Sequence, residues 1–115
     1  DAERGERLNP LSVQPLYAQA YVHVLGNRKP QAREALVDAV LLQPGNADTW
    51  LQLADFTLNQ LNQPRIALRL LGPALHLDPN SRQAQTIYLA GTRILQQRAD
   101  EAAAKRAAKR EAKRK

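Results

Sequence analysis

The feature that most restricts this chain is an internal period. Leu42-Gln43-Pro44 recurs as Leu8-Asn9-Pro10 before it and as Leu77-Asp78-Pro79 after it, so the three prolines stand 34 and 35 residues apart. A repeat of that length is one supersecondary unit, which cannot bury its apolar face alone and must stack on its neighbours. Between the prolines, Leu16, Tyr17, Ala20, Tyr21, Val24 and Leu25 recur at intervals of three and four, the signature of a helix with one apolar face. Ala32, Ala35, Leu36, Ala39, Val40 and Leu42 form a second such stripe, and Trp50, Leu53, Ala54, Thr57, Leu58 and Leu61 a third. A fourth runs through Ala67, Leu70, Leu71, Ala74 and Leu75, and a fifth through Ala84, Ile87, Tyr88, Gly91, Ile94 and Leu95. The expectation is an all-α chain of helix–turn–helix units.

The punctuation agrees with the period. Ser12, Asn46 and Ser81 occupy one register, and each is a good N-cap whose side-chain oxygen can accept from a first-turn N–H. Gly26-Asn27 ends the first helix, and Pro30 suits the first turn of the next, where no N–H is needed. The turn at Asn62-Gln63-Pro64 carries one extra residue, which accounts for the longer second spacing. Gly72-Pro73 departs from the plan, because a proline inside a helix removes one hydrogen bond and is expected to kink or divide it.

Composition excludes several classes of function. With no cysteine there is neither a disulfide framework nor thiolate metal ligation. His23 and His76 sit on different repeats, and neither has a second ligand at helical spacing on its own face. No metal or cofactor is expected. No apolar run approaches the roughly 18–20 residues of a bilayer-spanning helix, and Asp1-Ala2-Glu3-Arg4 does not open a signal peptide. There is no glycine-rich phosphate loop and no nucleophile–base or paired-carboxylate arrangement, so catalysis by this segment is not expected.

The net charge of +6 is unevenly placed. Residues 1–97 balance at +1, and residues 98–115 carry the remaining +5. In the tail, Lys105, Lys109 and Lys113 are spaced four apart, as are Arg106, Arg110 and Arg114, so a helix would show two adjacent basic rows. Glu101 with Lys105 and Glu111 with Lys115 offset part of the repulsion. The rows suit an anionic membrane surface, and equally nucleic-acid phosphate, although no aromatic residue is interleaved for base stacking. The alternative is a solvated, solubilising terminus.

At this point the pattern resembles the tetratricopeptide repeat. Trp50 stands at the large aromatic position, Leu53-Ala54 at the pair that lets helices approach, Ala67 and Ala74 at the small positions of the second helix, and Pro79 at the closing proline. In the preceding unit Leu16, Ala20, Ala32, Ala39 and Pro44 match, with Gln19 in place of the usual Leu. The resemblance implies a right-handed superhelix with a concave groove lined by the first helix of each unit. Carried over position by position, the groove would draw on Gln14, Tyr17, Tyr21 and Val24, then Asp48, Leu51, Asp55 and Leu58, then Gln83, Thr86, Ala90 and Arg93. Of these, Tyr17, Tyr21, Asp48, Leu51, Asp55 and Arg93 are the candidate peptide contacts, the alternative being that Tyr17, Tyr21 and Leu51 simply pack against the neighbouring helix, whereas Trp50 reads as core. The Lys/Asn clamp by which some members hold a C-terminal carboxylate is not seen, and Asp48 and Asp55 would repel such a terminus.

The opening Ala2-Glu3-Arg4-Gly5-Glu6-Arg7-Leu8-Asn9-Pro10-Leu11-Ser12, a repeat pair and an Ala/Lys/Arg tail also resemble the C-terminal extension of bacterial O-antigen ligase or polymerase-type membrane proteins. That likeness implies an accessory domain, with the glycan chemistry in a transmembrane part absent here. The chain thus divides into the end of a preceding repeat (1–10), two repeats (11–46 and 47–81), a capping helix (82–97) and a basic helical tail (98–115), the last two expected to run on as one long C-terminal helix. The expected role is noncatalytic protein interaction, with a basic-tail tether or a structural, oligomerising module as alternatives. Two repeats and a portion fall short of the usual three, so self-association through Leu8, Leu11 and the first helix is expected.

Overall fold

A computed structural model describes residues 12–114 of the chain. They form five α-helices and no strand: α1 Gln14–Leu25, α2 Lys29–Leu42, α3 Ala47–Asn59, α4 Pro64–Leu77 and α5 Arg82–Arg114. The fold class is all-α, as the periodicities require. Helices α1 and α2 pair, α2 packs on α3, α3 pairs with α4, and α5 lies across both α3 and α4. The segment expected to end a preceding repeat, with Leu8 and Leu11, lies outside the described residues.

The caps explain where each helix starts. Asn46 accepts from the Asp48 N–H at 3.0 Å, and Ser81 accepts from the Ala84 N–H at 3.1 Å. Ser12 behaves differently: α1 begins one residue later, and its Oγ accepts from the Gln14 N–H at 3.3 Å. The reason is Pro15, which stands three residues beyond Ser12 and has no N–H to offer. Thr49, fully buried, donates from Oγ1 to the carbonyls of Asn46 (2.8 Å) and Gln43 (3.1 Å), so the α2–α3 turn is tied to the first turn of α3.

The two hairpin turns are built alike, with one difference. Asn27 and Asn62 both adopt left-handed backbone, at φ 58° and 55°, a conformation asparagine tolerates better than most residues. After Asn27 the Arg28 N–H donates to the His23 carbonyl, five residues back. After Asn62 the Gln63 N–H donates to the Thr57 carbonyl, six back. The extra residue of the second unit is therefore absorbed in the α3–α4 turn, leaving both helices intact.

Helix α4 also runs undivided through Pro73, where the sequence predicted a kink or a break. The clash that disfavours helix before a proline involves the preceding Cβ, and Gly72 has none. Gly72 is exposed, with open space where a Cβ would be, so its role is local to the backbone.

Two apolar clusters fill the interior. One gathers Ala20, Ala32, Ala35, Leu36, Val40, Leu53 and Phe56 from α1, α2 and α3. The other gathers Leu51, Ala54, Leu58, Ala67, Leu71, Ala74, Ala84 and Ile87 from α3, α4 and α5. Ala32, Ala39, Ala54, Ala67, Ala74 and Ala84 have no exposed surface, so alanine is what lets these helices approach closely. Trp50 and Leu70 pack against both clusters and join them. The Trp50 indole N–H donates to the Pro44 carbonyl at 2.7 Å, fixing the half-buried ring against the α2–α3 turn.

The capping helix and the tail are one element. α5 continues without interruption for 33 residues, about 50 Å at 1.5 Å per residue, and reaches Arg114 as helix. Arg98 fixes the point where it leaves the body, donating to the Asn62 side-chain carbonyl at 2.9 Å and more weakly to its backbone carbonyl at 3.4 Å.

Candidate functional site

Helices α1 and α3 are both held by α2 but stand apart from each other, and the space between them is an open cleft of about 270 Å³. Tyr17, Tyr21 and Val24 line it from α1, and Leu36 from α2 forms part of the floor. Phe56 is buried beneath, while Gln52, Asp55 and Asn59 supply the polar wall of α3. The cleft is apolar at its base and polar along one edge, with Asp55 the one carboxylate and no cation among the described lining residues. Asn59 Nδ2 donates to Asp55 Oδ1 at 2.8 Å, which orients the carboxylate and leaves its second oxygen for another donor.

One hydrogen bond spans α1 and α3. Tyr17 Oη donates to Asp48 Oδ2 at 2.7 Å, while Gln52 Nε2 approaches the other oxygen of Asp48 at 3.4 Å. Partial burial, and then the Asp48 carboxylate beside it, hold the Tyr17 phenol well above its ordinary range. Tyr17 is therefore a neutral donor at every physiological pH, committed to closing one end of the cleft.

The six expected groove residues do not form one site. Tyr17, Tyr21 and Asp55 line the cleft, and Asp48 is bonded to Tyr17 at its border. Leu51 does not belong there: it is 5% exposed and packs in the cluster with Ala84 and Ile87. Its cluster joins α3 to α4 and α5, so this face of α3 is turned into the packed interior. Leu58 is buried in the same cluster. Arg93 is exposed on α5, outside the cleft lining. Gln52, Phe56, Asn59 and Gln60 were not anticipated, although 52, 55, 56 and 59 fall on one side of a helix and their spacing carries that signal.

The basic rows are where the spacing puts them. Lys105, Arg106, Lys109, Arg110, Lys113 and Arg114 are all helical and exposed. Glu111 pairs with Arg114, loosely at 4.0 Å, while Lys115 lies outside the described residues; Glu101 and Lys105 form no ion pair. His23 Nδ1 accepts from Arg28 Nε at 3.0 Å and His76 is exposed. No group of three or more metal-type ligands exists among the described residues, and no described helix is long and apolar enough to cross a membrane. No protein-family profile and no curated protein sequence matches the chain.

Proposed function

We propose that this chain is a noncatalytic protein-interaction scaffold of tetratricopeptide type, in which the α1–α2 and α3–α4 hairpins are two stacked units of a right-handed superhelix and α5 closes the second. The observation that carries the reading is the α1–α3 cleft, an apolar recess with tyrosines on one side and an oriented carboxylate on the other. Aromatic side chains of this kind supply large contact area at little entropic cost. The matching partner is a protein segment that places an aliphatic or aromatic side chain over Phe56 and a Lys or Arg beside Asp55.

Selection of a displayed random-peptide library on the intact chain tests this. Enriched peptides should pair an apolar anchor with a basic residue, and their binding should fail against Asp55→Lys and weaken against Tyr21→Ala. Peptides that bind Asp55→Lys as well as the unaltered chain would sink the proposal.

On the same reading the chain is an accessory domain of a larger bacterial membrane protein of O-antigen ligase type. Its support is the composition of residues 2–12 and of the tail, and all but Ser12 of that opening lie outside the described residues. Self-association is a second use of the scaffold, supported by the exposure of Val22 and Leu25 on the outer side of α1. Sedimentation of the chain across a wide concentration range decides it: a fixed monomer mass throughout would remove this use.

A further inference from the structure

Three arginines from two helices meet where α5 leaves the body. Arg98 stands seven residues beyond Gly91, within about 20° of it around the helix, so it continues the line along which α5 packs on α4. Its Nη2 donates to Asn62 Oδ1 at 2.9 Å, which holds the guanidinium beside the start of α4. Arg65 and Arg69 stand about one turn apart on α4 and line a shallow cleft of about 380 Å³ together with Arg98, with Asn62, Pro64 and Ile66 also in the wall.

These charges have no counterpart in the surrounding structure. The cleft has no carboxylate among its described lining residues, and neither Arg65 nor Arg69 has a hydrogen-bond or ion-pair partner among the described residues. Asp100, close to Arg98 in sequence, accepts from Gln96 Nε2 at 2.9 Å, and Glu101 lies outside the lining. Local physics runs against the arrangement. Like charges four apart on a helix repel, and Arg65 puts a cation in the first turn of α4, where the helix dipole disfavours it. That turn has no acidic residue, and α4 starts without a capping side chain. One bound anion offsets all of these terms at once, and local rules broken together without compensation are the mark of a site.

We propose that this cleft binds a phosphate group, free or at the end of a small molecule. The residue type favours that ligand, because the guanidinium fork matches phosphate oxygens with paired N–H donors. Three cations also supply more charge than a single carboxylate balances. Size argues against a polymer: about 380 Å³ is the scale of a small-molecule pocket, and none of the cations beyond Arg98 on α5 lines it. This inference is independent of the α1–α3 cleft.

The test is an NMR titration of the intact, isotope-labelled chain with inorganic phosphate, with glycerol phosphate and with acetate, near neutral pH and at an ionic strength held constant by sodium chloride. The Nε–H signals of Arg65, Arg69 and Arg98 should shift and saturate with phosphate, while those of Arg106, Arg110 and Arg114 move little. Tighter binding of glycerol phosphate than of inorganic phosphate would show that the group arrives on a small molecule, and the reverse that it arrives free. Arg65→Gln with Arg69→Gln should weaken binding by roughly tenfold or more, since a hydrogen bond to a charged group carries about that factor. Arg65→Lys with Arg69→Lys keeps the charge without the fork and should recover only part of the loss. Arg106→Gln with Arg110→Gln should leave binding unchanged. All these positions are exposed, and circular dichroism checks that each variant keeps its helices. Full binding by the glutamine variant of Arg65 and Arg69 would overturn the proposal. So would an equal response to acetate, or shifts spread evenly over the arginines of body and tail.

Discussion

The hydrogen bond from Tyr17 to Asp48 makes a prediction with a definite sign in pH. Replacing Tyr17 with Phe removes a 2.7 Å donor to a carboxylate and little else. Hydrogen bonds to charged groups contribute roughly 1.5–3 kcal/mol when buried, but this one is only partly buried, and solvent screening brings it to about 1 kcal/mol. For a chain of this size that corresponds to a fall in Tm of roughly 4 °C. Asp48 also meets Gln52 and lies in the first turn of α3, so Asp48→Asn alone mixes several effects. A double-mutant cycle with Tyr17→Phe isolates the pair. The pH dependence follows from the raised phenol pKa. Below about pH 10, where an unfolded tyrosine is still neutral, the contribution is fully present. Above it the unfolded chain gives up a proton that the folded chain retains, so stability falls as pH rises toward the folded value. Thermal melts of both proteins from pH 8 to pH 11 should therefore show a constant gap up to about 10 that then closes. Equal Tm values at pH 8, or a gap that widens with pH, would refute the reasoning.

Other residues make shorter tests. Gly91 sits against α4, and a Cβ there would lie 3.0 Å from Leu68 Cδ2 and 3.3 Å from its Cγ. Gly91→Val should therefore cost about 2–3 kcal/mol in urea unfolding despite removing a helix-interior glycine, by overpacking; a stabilised variant would mean α5 is held off α4. Asn62→Gly, which keeps the left-handed turn but loses the Arg98 acceptor, should cost less than Asn62→Ala, which loses both, by about 1 kcal/mol. Amide exchange should show protection falling progressively from Arg98 toward Arg114, because nothing packs on that part of α5 and isolated helices of this length are marginal in water. Uniform protection to residue 114 would mean that the tail has a partner in solution.

Much of the architecture was legible because it rests on local chemistry repeated in register. Alternation at three and four residues marks every helix, and proline, asparagine and serine mark the ends. Ser12 and Pro73 departed from expectation for reasons that also lie in neighbouring residues, Pro15 and Gly72. The site was less legible because it depends on which faces meet. Leu51 fits a groove and a packed seam equally so long as α3 is considered alone, and its cluster with α4 and α5 decides for the seam. Gln52 and Asn59 look like solvent-facing filler until α1 stands opposite them.

The unbroken α5 also constrains how the chain can change in length. In the α3–α4 turn one extra residue is absorbed by a wider loop, and both flanking helices keep their faces. A residue inserted after Gln97 has no such outlet, since each addition turns everything beyond it by about 100°. Two inserted residues would carry the arginine row to the far side of the helix, whereas seven would return it to within about 20° of its place. Descendants of this sequence can lengthen freely at the turns, but along the strut only in steps close to whole turns.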